Sequence, residues 1–269
     1  MTIYHLNCGT LNPLFPRNTQ SILYCLLIET SDGLLLVDTG FGLKDYLDPT
    51  PFIRIFTALL GMERNPQEAA VHQVEKLGFD PVDVKHIVLT HLHCDHTGGL
   101  PDFPQAHVHV YVEEYEAAMH PKGIMARFYE RDHWRHNPDW RIHDADPVMD
   151  WFGFDSLRIE AIDKPEVRFV LLPGHTKGHC GVAIFEGGSW LLHAGDSTYP
   201  FYHDSDPTPP IKPLPWYVMD PPKFVEQAIA GNQTPGLRSL LEEHGTAIQI
   251  ICSNDSITYS QMRAPQTTG

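Results

Sequence analysis

The stretch THLHCDHTGG, residues 90–99, places four strong metal ligands, His91, His93, Asp95 and His96, within six consecutive positions. Metal binding is the chemistry such a cluster serves. On an extended chain, residues i and i+2 point to the same side, about 7 Å apart, so His91 and His93 can share one ion. Asp95 and His96 follow in a turn, and Gly98-Gly99 lets the chain bend sharply afterwards. This spacing suits two neighbouring ions better than one. A pair of ordinary surface histidines would need neither the aspartate, nor the third histidine, nor the Gly-Gly.

The elements that must position these residues are short strands. Residues 86–89 are apolar and β-branched, which predicts a buried strand ending where the histidines begin. A second strand, 167–172, runs into Pro173-Gly174-His175, and a histidine after Pro-Gly is better placed to reach a site at the strand ends than to pack in a core. A third, 189–193, runs into Ala194-Gly195-Asp196. Collected, these give His91, His93 and His175 for one ion, and Asp95, His96 and a shared Asp196 for a second. Three histidines leave a tetrahedral zinc one open position, the catalytic rather than the structural pattern. The strand 34–37 ends in Asp38-Thr39-Gly40, where the aspartate either opens a turn or accepts a hydrogen bond from a ligand histidine.

HLHCDHTGG resembles the HxHxDH signature of the metallo-β-lactamase fold hydrolases, and LLVDTG, PGHTKGH and AGDS match that family's further motifs in order and spacing. The similarity runs over nearly the whole chain. It implies an α/β (α+β) architecture, an αββα sandwich of two facing mixed β-sheets flanked by helices. It also implies the same ligand set with one or two zinc ions, and it tips Asp38 toward the partner of a ligand. Within the family the chain looks most like the N-acyl homoserine lactone lactonases, through HLHCDHTGG, EYEAAMH, PGHTKGH and DSTY, whose Tyr199 lies three residues beyond Asp196. Such enzymes open the ring of a quorum-sensing signal. Because the same scaffold hosts other chemistries, a thioesterase, a phosphodiesterase and a metal-poor binding protein without turnover stay open.

One departure stands at the last strand. The family usually presents a histidine there for the second ion, and this chain has Ser253-Asn254-Asp255. A neutral amide oxygen binds zinc far less well than imidazole, so the second site is weak, holds a harder metal, recruits Asp255 or fills with water. The expected reaction is hydrolysis without a protein nucleophile, by hydroxide on the metal attacking a polarised carbonyl. Asp95 would pass the proton to the leaving oxygen. Tyr199 would donate to the developing oxyanion, or else simply pack beside a loop.

The bulk of the chain bounds the rest. Its 269 residues are read as one domain, large enough to bury a core without staples. No apolar run approaches the ~18 residues of a membrane span. The N-terminus lacks the marks of a secretion signal, and five scattered cysteines without C-x-x-C spacing favour reduced thiols. A soluble cytoplasmic protein is expected. A formal charge of −15 disfavours nucleic acid and anionic lipid as partners, leaving a small-molecule substrate.

Hairpin grammar covers residues 21–37. A loop or short helix is expected at 52–62, a helix start at 113–119, helices at 66–77, 222–231 and 236–244, and strands at 106–112, 157–162, 181–186 and 247–252. His107 and His109 share one face of the strand 106–112, read as meeting solvent. Residues 120–151, with Phe128, Tyr129, Trp134, Trp140 and Trp151 among Arg127, Arg131, Arg135 and Arg141, have no clean period. They read equally as a surface excursion or as a lid whose arginines serve an anionic group. The proline-rich 200–222 reads as an ordered loop near the site mouth.

Overall fold

The computed structural model describes residues 1–12, 20–146, 148–197 and 236–263. The first sheet contains β1 (Ile3–Leu11), β2 (Ser21–Glu29), β3 (Leu34–Val37), β4 (Val84–Val88), β5 (His107–Tyr111) and β6 (Asp139–His143), in that spatial order. β1, β2 and β3 pair antiparallel, and the steps from β3 to β6 are parallel. The second sheet holds β7 (Val148–Trp151), β8 (Phe154–Arg158), β9 (Glu166–Leu171), β10 (Cys180–Glu186), β11 (Ser189–His193) and β12 (Ile248–Ile251), antiparallel except for the β11–β12 pair.

β2 shows why the two sheets face each other. Its run SILYCLLIE is buried on both sides: Leu23, Cys25 and Leu27 enter a core under the outer helices, whereas Ile22, Tyr24, Leu26 and Ile28 meet Phe169, Val182 and Ile184 of the second sheet. A strand covered on both faces reads as continuously apolar. The first outer layer includes α1 (Leu43–Leu47), α2 (Pro51–Leu59) and α3 (Ala70–Lys76), which bury Tyr46, Ile53, Ala70 and Val74. One turn of helix, α4 (Cys94–Thr97), follows β4, and α5 (Val112–Met119) follows β5. On the far side of the second sheet, α6 (Leu237–His244) packs Leu237 and Leu240 against Val170, Leu192 and Ile248, and α7 (Ser256–Arg263) closes the described chain. The architecture is the expected αββα sandwich of two mixed sheets.

Several local expectations change. The helix expected over 66–77 breaks at Ala69 (φ −55°, ψ 137°) into a 3-10 turn, Pro66–Glu68, and α3. The Glu68 carboxylate accepts hydrogen bonds from Thr10 N (2.7 Å) and Thr10 Oγ1 (3.0 Å), so attachment to β1 overrides helical continuity. The strand expected at 157–162 begins earlier, as β8, because Phe152 (φ 49°) and Gly153 (φ 83°) make a tight turn with β7. Residues 120–151 lack a period because they hold 3-10 turns and supply an edge strand to each sheet, β6 and β7.

His109 is fully buried rather than solvated, since its strand face looks into the space between the sheets. There Asp32 Oδ2, His86, His109 and His143 form a hydrogen-bonded line with steps of 3.2, 2.9 and 3.0 Å. None of the five cysteines forms a disulfide, and no helix among the described residues is long and apolar enough to cross a membrane. The helix expected at 222–231 and the loop 200–222 lie outside the described residues.

Candidate metal centre

β4 delivers the histidine run to the rim of the sandwich, and backbone contacts hold it there. Thr39 N and Oγ1 both donate to His96 O (3.0 and 2.9 Å), and Gly99 N donates to Thr39 Oγ1 (3.0 Å). Gly98 has an ordinary helical φ of −56°, so it is not a sharp bend. It is glycine because a Cβ would stand 2.2 Å from Asp45 Oδ2 and 2.7 Å from Gly42 N.

Of the expected ligands, the structure brings five together. His91, His93 and His175 offer nitrogens that all lie within 4.8 Å of one another, and so do the ligand atoms of His91, His96 and Asp196. Asp196 reaches both groups, with Oδ1 3.5 Å from His96 Nε2 and Oδ2 3.5 Å from His175 Nε2. His91, not Asp196 alone, is therefore common to both. Asp95 stands beside the second group, its Oδ2 4.0 Å from His96 Nε2. Tyr199 lies outside the described residues.

The donor set fits a divalent metal. The Nε2 atoms of His91, His93 and His96 are buried without a hydrogen-bond partner, a state that costs free energy unless a cation uses the lone pairs. On the opposite edges of two of these rings, Thr90 Oγ1 lies 3.1 Å from His91 Nδ1 and Asp38 Oδ2 lies 2.8 Å from His96 Nδ1. His93 Nδ1 and His175 Nε2 are 2.9 Å apart. Imidazole and carboxylate together suit zinc.

Electrostatics point the same way. Burial, reinforced by neighbouring histidines, pushes His91 and His93 well below the usual imidazole range, so both present lone pairs. Burial also pulls on His96, but the carboxylates of Asp38, Asp196 and Asp95 outweigh it and raise its pKa well above the usual value. Conversely, burial would raise Asp196 and Asp38, yet His96 holds both below the ordinary carboxylate range. Burial raises Asp95, with the Asp196 charge adding to it. Asp38, Asp95 and Asp196 thus crowd around His96, an excess of acidic groups that a divalent cation would offset.

Asp38 also accepts from Thr90 N (2.8 Å) and Thr90 Oγ1 (2.9 Å), so it orients the histidine loop from a left-handed backbone position (φ 56°). Asn254 does face the site. Its Nδ2 donates to Asp196 Oδ1 at 3.4 Å while its Oδ1 accepts from Ser21 Oγ at 2.9 Å, so the amide oxygen is turned away. Asp255 is not recruited: its carboxylate accepts from Ile257 N (3.1 Å), Thr258 N (2.8 Å) and Thr258 Oγ1 (2.5 Å) at the start of α7.

Some contributors escaped the sequence. His179 donates from Nδ1 to Leu172 O (3.0 Å) and accepts Asp196 N at Nε2 (3.0 Å), pinning the Asp196 turn; burial, then His175, brings its pKa to about 3. The second histidine of PGHTKGH was the only signal. Residues 124–135 form a fixed wall: the Phe128 and Tyr129 rings lie 5.4 and 5.2 Å from His93, and Phe52 and Phe56 of α2 meet Phe128 edge-on. Buried His133 bolts this wall down, with Nε2 3.0 Å from Asp45 Oδ1 and Nδ1 3.0 Å from Thr97 Oγ1, which also donates to His93 O. Arg127, Arg131, Arg135 and Arg141 are exposed, and the last three pair locally with Met119 O, Asp132 and Asp139. Those three guanidinium groups are thus engaged away from the site.

A sandwich with histidine and aspartate donors at the strand ends is a metallo-hydrolase scaffold. The family model of the metallo-beta-lactamase superfamily matches residues 19–243, and the chain belongs to that superfamily. It is 43% identical over 202 residues to a probable metallo-hydrolase of Mycobacterium tuberculosis, a match covering 75% of this chain and 63% of that protein. It thus spans less than two thirds of the length of that relative. It is 31% identical over 235 residues to the N-acyl homoserine lactonase AttM of Azorhizobium caulinodans, covering 85% of this chain and 80% of the other. Among solved structures it resembles an N-acyl homoserine lactone hydrolase with the product N-hexanoyl-L-homoserine bound at its catalytic metal center, with a TM-score of 0.63, 20% identity, and coverage of 97% and 96%.

Proposed function

We propose that the protein is a zinc-dependent hydrolase that opens the ring of a lactone, with N-acyl homoserine lactones as its small-molecule substrates. The observation that carries this reading is the convergence of three buried, partnerless imidazole nitrogens with Asp196 reaching both ligand groups. Kinship with the Azorhizobium lactonase supports the choice of substrate. His91, His93 and His175 would hold one ion, and Asp95, His96 and Asp196 a second. Zinc bound there supplies Lewis-acid activation of water and of a carbonyl.

The chain's own groups do the remainder. His91 and His93, kept neutral by burial, present lone pairs over the working pH range. Asp95, whose burial favours the protonated form, is suited to carry a proton to the leaving oxygen. Tyr199 is assigned as the donor to the developing oxyanion. Phe128, Tyr129, Phe52 and Phe56 form an apolar wall that excludes water beside His93 and accepts an acyl chain. Five buried cysteines, none in a disulfide, fit a reducing cytoplasmic compartment.

The test is elemental analysis of protein purified without chelator, followed by assays on lactones, thioesters and phosphodiesters. Bound zinc with preferential lactone opening is the expected result. A metal-free chain inert on every substrate overturns the reading, and faster cleavage of a thioester or phosphodiester overturns the lactone assignment.

A further inference from the structure

Glu114, in the first turn of α5, belongs to neither ligand group, yet only 1% of it is exposed. A buried carboxylate persists where donors surround it. Here the donors come from three separate segments. Oε1 accepts from Leu92 N at 2.9 Å, Oε2 accepts from Thr176 Oγ1 at 2.5 Å, and the Tyr129 hydroxyl bonds to the same carboxylate. Leu92 sits between His91 and His93, and Thr176 follows His175. Tyr129 lays its ring against His93. The loop that carries His175 also presses directly on the start of α5, since a Cβ at Gly178 would lie 2.0 Å from Glu114 N.

These two histidine loops leave different sheets, the first from β4 and the second between β9 and β10. The backbone bond from Cys180 N to Thr90 O (2.9 Å) ties them at their base. Glu114 ties them again at the histidines themselves.

We propose that Glu114 is a positioning residue of the candidate metal centre, its carboxylate bridging the His91–His93 loop to the His175 loop and so setting the spacing of His93 Nδ1 and His175 Nε2. This rests on the reading that these histidines hold a metal. Ligands must be fixed to within about 0.5 Å for a site to keep its geometry, and groups that orient ligands typically carry roughly 10 to 100-fold in metal affinity. A glutamine at 114 keeps the size and one acceptor oxygen, but its NH₂ would meet a hydroxyl that now donates. A valine at 176 is isosteric with threonine and removes only the hydroxyl that joins Glu114 to the His175 loop.

The experiment is competition for zinc against a chromophoric chelator, with the visible spectrum of the cobalt form, for wild type, Glu114→Gln and Thr176→Val, alongside thermal melting of the metal-free proteins. Both variants are expected to lose roughly 10 to 100-fold in affinity and to shift the cobalt bands, while metal-free Thr176→Val melts lower than wild type but still cooperatively, since Leu92 N and Tyr129 continue to serve the Glu114 carboxylate. Should Glu114→Gln fail to fold, Thr176→Val decides alone. A wild type that takes up metal, with Thr176→Val equal to it in affinity and cobalt spectrum, overturns the role of Glu114 and leaves the metal reading intact. A wild type that takes up no metal overturns the metal reading, and this inference with it.

Discussion

His91 belongs to both ligand groups and its Nε2 is buried without a hydrogen-bond partner, so no other single histidine matters as much to the candidate centre. His91→Ala should remove most bound metal and abolish hydrolysis, and His175→Ala should do the same; elemental analysis beside an ester assay checks both. Retained zinc with retained activity would end the metal reading. Asp38→Asn is a milder test. Asparagine tolerates the left-handed backbone at φ 56°, so the change acts on the contacts to Thr90 and His96 and not through strain. A loss of roughly 10 to 100-fold in affinity or activity is expected. Asn254→His would replace the amide group beside Asp196 with imidazole, a better zinc ligand. Metal titration should then give higher occupancy of the second site; equal stoichiometry and affinity would mean that position 254 is not at a metal.

At the scale of elements, the decisive piece is the wall formed by residues 124–135. Its apolar positions, Phe128, Tyr129 and Trp134, follow no helix or strand period, and beside their packing it is held by polar contacts: the His133 bonds to Asp45 and Thr97, the Thr50 bond to Glu130 (2.9 Å) and the Lys44–Asp132 ion pair. His133→Ala leaves the buried Asp45 and Thr97 groups short of a partner. Urea denaturation should show a loss of about 1–3 kcal/mol, the usual cost of an unsatisfied buried group. Because Thr97 also bonds to His93 O, metal affinity should fall in the same variant. A stable protein with unchanged metal affinity would show that the wall does not depend on this bolt.

For the whole molecule, the space between the sheets carries a titrating group away from the candidate centre. Burial, then His143 and His86, lowers the His109 pKa from 6.5 to about 2. Between those values the unfolded chain binds a proton that the folded chain refuses, so stability is lost as pH falls below 6.5. The slope from this one group is about 1.4 kcal/mol per pH unit. His109→Gln keeps a donor and an acceptor for His86 and His143 but cannot titrate. Its urea midpoint should therefore fall less steeply than that of wild type between about pH 6.5 and pH 4.5, and identical slopes would show that His109 is not held neutral.

What the sequence determined by itself was local. The ligand types, their spacing, and the apolar strands that end at His91, His175 and Asp196 are all written in runs of fewer than a dozen residues, and apolar or alternating runs marked most other strands, whereas the edge strands β6 and β7 left no such run and the facing of two sheets followed from the family resemblance. What only the tertiary structure decided concerns groups that meet from distant parts of the chain. Asn254 turns its oxygen away because Ser21, 233 residues earlier, donates to it. His109 is buried because a second sheet covers the face that alternation alone assigns to solvent. Glu114, legible only as a helix start, gains its meaning from Leu92 and Thr176, 22 and 62 residues away. A hydrogen bond across such distances leaves no periodic trace in the sequence, since either partner alone looks like an ordinary polar residue.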